Sequence, residues 1–177
     1  MVLVAQQAAN SVVAPERCFP FVCDLASPEG VDEIFSNVDA NSTRLLTFFG
    51  MIPNFEPQLI LPRLAAMLRP NDWLLFSANL APGNDYSAGV QRILPLYDNE
   101  LTHDWLQTFL FDLGVGRDDG ELRFTIEDCP TGTELKRVAA NFHFAKPCTI
   151  QLPEERFEFQ SGDKILLFFS YRHTPER

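Results

Sequence analysis

The sequence predicts an α/β fold in two parts: a partial parallel sheet with crossover helices over residues 1–118, then an antiparallel β-rich region over 119–177. Three observations carry this. Continuous apolar runs alternate with helix-period segments between residues 18 and 80. After Gly120 the hydrophobic period changes to two. The composition, 46% hydrophobic with 16 Phe among 177 residues, supplies enough apolar surface for a sizeable core.

Val2 to Ala9 reads as a helix end, running into a loop around Pro15. Cys18 to Leu25 reads as a short buried strand, although Pro20 within it lacks a ladder donor. Ser27 and Pro28 form a helix start, with Ser as cap and Pro in the first position, leading into a short helix over 31–35. Thr43 to Gly50 is an apolar run bounded by turn residues, as expected of a strand buried on both faces. Pro57 opens a helix with Ile60, Leu61, Leu64 and Leu68 at helical spacing and Pro62 inside it. Trp73 to Leu80 is a second buried strand. In such alternations the crossovers are right-handed and ligands bind at the carboxyl ends of the strands. Helices follow over 86–96 and 101–113, the second with Leu101, Trp105, Phe109 and Leu113 on one face.

Beyond Gly120, Leu122, Phe124 and Ile126 alternate with polar residues. Val138, Ala140, Phe142 and Phe144 do the same, with Pro130–Gly132 as the hairpin turn between the two runs. Residues 148–152, 156–159 and 164–173 complete the set of strands.

A net charge of -10 and a pI near 4.6 argue against a nucleic-acid partner, whose phosphates would be repelled. No run reaches 18 apolar residues and the N-terminus lacks a basic segment, so neither a membrane partner nor a secretion signal is expected, and a cytoplasmic location is. Cys18, Cys23, Cys129 and Cys148 fit no zinc or redox spacing, and His103, His143 and His173 have no ligand-spaced partners, so no metal is expected. Gly114–Gly120 is glycine-rich, but it follows a helix and precedes a strand, the reverse of a phosphate loop.

Two strand ends hold the candidate binding residues. Gly50–Pro57 lies between a strand and a helix N-terminus, where backbone N–H groups suit a carboxylate or a polar small molecule, and Asn54 can donate and accept there. The same spacing also fits an ordinary turn with Asn as a cap. Asp24 can accept from an adenine amine or a ribose hydroxyl, or serve as a helix cap.

Taken in order, three runs resemble the histidine-specific (ergothioneine-type) family of S-adenosylmethionine-dependent methyltransferases. They are Leu46-Thr47-Phe48-Phe49-Gly50-Met51-Ile52-Pro53-Asn54-Phe55-Glu56-Pro57, the segment from Leu64 to Leu75, and Ser161 to Glu176 with its Ser170-Tyr171-Arg172-His173-Thr174-Pro175. The resemblance implies a Rossmann-like class I methyltransferase sheet with a β-rich accessory region, S-adenosylmethionine as cofactor and a small-molecule methyl acceptor. It implies that Asp24, Leu25 and Gly50 face the cofactor, and that Asn54, Tyr86 and Ser170 face the substrate. The family's glycine-rich loop has no counterpart, so the chain reads as its C-terminal portion. The Glu that grips histidine in the family falls on Phe168, which speaks against histidine as acceptor, and Pro53 replaces a Gly before Asn54. The alternative reading is a non-catalytic binding domain that keeps the scaffold and self-associates through an exposed sheet edge.

Overall fold

The computed structural model describes residues 2–25, 35, 38, 39 and 41–176. Among them the fold is mixed α/β, with four α-helices and three sheets. The order is α1 (Val2–Ala9), β1 (Leu45–Phe48), α2 (Pro57–Met67), β2 (Trp73–Phe76), α3 (Tyr86–Tyr97), α4 (Glu100–Asp112), then β3 (Gly120–Asp128), β4 (Lys136–Phe144), β5 (Cys148–Gln151), β6 (Arg156–Phe159) and β7 (Lys164–Arg172). The sheets are β1-β2, β3-β4-β7 and β5-β6. The chain divides into two compact units. Residues 1–46 and 59–74 form one, and residues 47–58 and 75–177 form the other.

In the first unit, Ile60 and Leu64 on one face of α2 are buried, as their spacing predicts. Arg44 and Asp72 fasten the unit. The Arg44 guanidinium pairs with the Asp72 carboxylate, with Nε 2.8 Å from Oδ2, and also donates to the Met67 carbonyl. The backbone N–H groups of Arg44 and Arg69 donate to the same carboxylate at 3.0 and 2.7 Å. The Arg44 side chain foremost, helped by these N–H groups, holds the Asp72 carboxyl well below the usual carboxylate range. A depressed carboxyl pKa contributes stability above the unfolded value, here 3.8, and that contribution is lost as pH falls further. Hydrogen-exchange protection of α2, corrected for intrinsic rates, should therefore drop below about pH 4. In Asp72→Asn it should already be low at pH 7 and change little with acid.

Two sequence expectations change here, and a third lies largely outside the described residues. Cys18–Asp24 forms no ladder, because a strand needs a partner and Pro20 has no N–H to offer one. The helix expected from Ser27 lies, apart from Phe35, outside the described residues. β1 and β2 pair in parallel, Trp73 N–H to Arg44 O and Ser77 N–H to Phe48 O advancing together. They are not buried on both faces, however: Leu45, Trp73, Leu75 and Phe76 are all more than half exposed. A two-stranded ladder buries both faces only between two covering layers.

The second unit is built on the antiparallel sheet β3-β4-β7, with Leu122↔Phe142 and Val138↔Ser170 in register and a bulge at Ala140/Asn141. One face carries Leu122, Phe124, Val138, Ala140 and Phe142. It packs on Ile93 of α3, Leu106 and Leu110 of α4, and Ile150 of β5. On α4 the buried face is therefore Leu106 and Leu110, while Leu101, Trp105 and Phe109 stay exposed. The helix is apolar on two sides, so the i, i+4 spacing selected the wrong one. Gly120 is required where β3 begins opposite Phe144, because a Cβ there would lie 2.1 Å from the His143 carbonyl oxygen. The β4 pattern also departs from simple alternation. Arg137, Ala139 and Asn141, expected to face solvent, are buried by a polar network on the second sheet face.

Candidate functional site

The second unit contains Gly50, Asn54, Tyr86 and Ser170, whereas Asp24 and Leu25 belong to the first. In the first unit the Leu25 carbonyl accepts from Arg63 Nη1 at 3.3 Å, and Asp24 is exposed.

After β1 the chain turns sharply. Gly50 adopts φ +69, a left-handed conformation that disfavours other residues, and its N–H donates to Ser77 Oγ at 2.8 Å. A 3-10 turn over Ile52–Asn54 follows, with Ile52 and Pro53 buried as its anchor and Asn54 exposed. Pro53 stiffens this turn because its ring fixes φ. Asn54 lines a cavity of about 270 Å³ together with Leu166, Leu167, Phe168 and Phe169 of β7. Among the described residues that line it, the one polar side chain is the Asn54 amide.

Glu56 locks the turn to the sheet. Its carboxylate accepts from Arg137 Nη1 at 3.0 Å and from the Tyr171 hydroxyl at 2.7 Å. Arg137 also donates to Glu127 at 3.0 and 3.2 Å and lies 5.0 Å from the Phe169 ring centre. Burial above all, with the neighbouring Cys129 and Glu56, pushes the Tyr171 hydroxyl far up, so it remains a neutral donor. Its oxygen lies 3.3 Å from Cys129 Sγ, which in turn lies 3.0 Å from Thr131 Oγ1. Burial raises the Cys129 thiol, but the Thr131 and Thr133 hydroxyls, with the Thr131 N–H, outweigh it and bring the thiol down to about 7. Gln58 adds a tie from the same turn to the Thr131 carbonyl, at 3.1 Å.

On the opposite face of β7, Phe168 stacks on Tyr97 with ring centres 5.6 Å apart. Ser170 is buried, with Oγ 3.5 Å from the Tyr97 hydroxyl, and the Arg172 guanidinium donates to that hydroxyl. Tyr86 spends its hydroxyl on backbone: it donates to the Arg172 carbonyl at 2.8 Å and accepts from the Lys136 N–H at 2.6 Å. Tyr86 also borders a separate cavity of about 410 Å³, with Leu80, Ala81, Gly83, Asn84 and Thr174–Glu176 around it.

Asn54 and the Phe168 segment therefore meet in one cavity, and Ser170 faces Tyr97 rather than Asn54. Tyr86 supports the end of β7. Among the described residues no cluster of three metal-ligating side chains occurs, and no helix is long and apolar enough to cross a membrane. At the Gly114–Gly120 turn the Gly116 N–H is taken by the Asp119 carboxylate at 2.6 Å, so that turn closes on its own acid.

Glu56, Arg137, Tyr97 and Arg172 were not anticipated as site residues. The available signal was a carboxylate one residue before the helix-opening Pro57 and arginines inside strands that should alternate. No protein-family model matches the chain, and no curated protein matches it.

Proposed function

We propose that the protein is an S-adenosylmethionine-dependent methyltransferase, built on a Rossmann-like scaffold and acting on a small molecule such as an amino acid or amine. What supports the reading is a meeting of segments far apart in sequence. The turn after β1 and the stretch 166–169 of β7 belong to two of the three runs that carry the resemblance. They line the same cavity, to which Asn54 and Phe168 both contribute. The β1-β2 pair is parallel, and the chain beyond β2 reaches β7 through a parallel bridge between Leu80 and His173. That continuity suits an α/β sheet ending in a C-terminal strand.

In the proposed reaction a lone pair on the acceptor's nitrogen or oxygen attacks the sulfonium methyl group. The new bond to carbon forms as the C–S bond breaks, and the sulfur leaves as a neutral thioether. The protein contributes orientation and exclusion of water rather than covalent catalysis. Asn54, held by a turn that Pro53 stiffens and Glu56 fastens, is suited to orient the acceptor. Among the described lining residues, four apolar side chains around one amide leave an imidazole's second nitrogen without a partner, which speaks against histidine as acceptor.

The test is calorimetric titration with S-adenosylhomocysteine. Saturable binding is expected, weakened about tenfold, or about 1.4 kcal/mol, in Asp24→Ala. A chain that is folded by circular dichroism yet gives no binding heat with the nucleoside would end this reading.

A further inference from the structure

Arg172 is 94% buried in the second unit, 6% of its surface remaining exposed, and among the described residues no carboxylate lies within ion-pair distance of it. Its Nε is buried with no hydrogen-bond partner. Among the described residues the guanidinium's one hydrogen-bond acceptor is the Tyr97 hydroxyl, and the ring of the same residue lies 5.1 Å away. A cation–π contact offsets part of the desolvation of a buried charge, but a buried cation is ordinarily paired with an anion.

The surroundings sharpen the point. Lys136 stands directly opposite Arg172 across the β4–β7 ladder, and like charges in that position repel. Asp128 answers Lys136 at 2.5 Å, which leaves one positive charge of the pair unanswered in a chain of net charge -10. Next along the same face, Ser170 is 1% exposed, and its contact with the Tyr97 hydroxyl, at 3.5 Å, is at the outer limit of a hydrogen bond. An unpartnered N–H and a weakly engaged hydroxyl therefore lie together beside an uncompensated cation.

We propose that Arg172, with Ser170 and Tyr97, forms a binding site for a small molecule bearing a single carboxylate. One uncompensated positive charge calls for one negative charge. A guanidinium fork flanked by hydroxyls matches the two oxygens of a carboxylate, and the neighbouring Phe168–Tyr97 stack offers an apolar wall beside it. The site does not depend on methyl transfer, since an anion can occupy it whether or not the nucleoside binds.

The arginine Nε–H resonances read the site directly by NMR. Titration with benzoate and with acetate should move the Arg172 Nε–H signal saturably, and methylammonium should leave it still. Arg172→Met should abolish benzoate binding and melt no lower than the parent in anion-free buffer. Arg172→Lys keeps the charge but loses the fork, and should bind at least tenfold more weakly; Ser170→Ala should weaken binding by a smaller factor. The proposal is overturned if neither carboxylate moves the signal, or if Arg172→Met binds benzoate as the parent does. It is equally overturned if Arg172→Met melts well below the parent while benzoate stabilises neither, which would make Arg172 a purely structural arginine. Should the Met variant fail to fold, unchanged affinity in Arg172→Lys and Ser170→Ala together would overturn it.

Discussion

Arg137→Ala should destabilise the second unit by about 3–5 kcal/mol, a large share of the stability of a domain this size. The guanidinium lies between Glu56 and Glu127, and among the described residues no other cation reaches either carboxylate. Removing it leaves two partly buried acids, hydrogen-bonded among the described residues by the Tyr171 hydroxyl, the Thr125 hydroxyl and the Asn141 amide. The loss comes mainly from these stranded charges, which gives the prediction a second arm. Arg137→Met combined with Glu56→Gln and Glu127→Gln should recover most of it, because the acids are then neutral as well. Urea unfolding followed by circular dichroism measures both. A single variant within about 0.5 kcal/mol of the parent would mean that solvent already screens the network.

Phe142→Ala should cost about 3–5 kcal/mol by the same measurement, through loss of apolar burial and the cavity it leaves. Phe142 is 1% exposed on the central strand and meets Phe144 edge to face with ring centres 5.1 Å apart. Phe144 in turn stacks on Phe159 of β6 at 4.3 Å. Phe144 therefore joins the three-stranded sheet to the small β5-β6 hairpin, and Phe142 packs against the ring that makes this junction. Phe142→Leu keeps much of the volume and should cost less than about 1.5 kcal/mol. Equal losses in the two variants would argue that ring geometry, rather than volume, holds this junction.

What could be read from the sequence was periodicity. The strands on either side of the Pro130–Gly132 turn are where alternation puts them, and the helices over 86–97 and 100–112 begin at Asp85 and Asn99 caps whose side chains accept from Ala88 and Thr102. What could not be read was cover. Alternation marks Arg137 and Asn141 as outward-facing, and they are, but the outward face is itself buried by a turn some 80 residues earlier. In the same way, apolar spacing on α4 gave two candidate faces, and only the sheet decides that Leu106 and Leu110 are covered while Trp105 is not. At the candidate site, the position of Asn54 after a strand was legible from the turn residues around it. The carboxylate that secures it was not, because Glu56 and Tyr171 lie 115 residues apart.

That same separation bears on how the chain is made. The units interleave, the polypeptide crossing between them after residues 46, 58 and 74. A ribosome delivers the turn bearing Asn54 long before it delivers β7. At about 5–20 residues per second, Glu56 waits roughly 6–23 seconds for Tyr171. During that interval the turn lacks its fastening on that side and Ile52 and Pro53 lack the cover of the finished sheet, so nascent chains stalled before residue 171 should be the form most readily cut by proteases within residues 50–58.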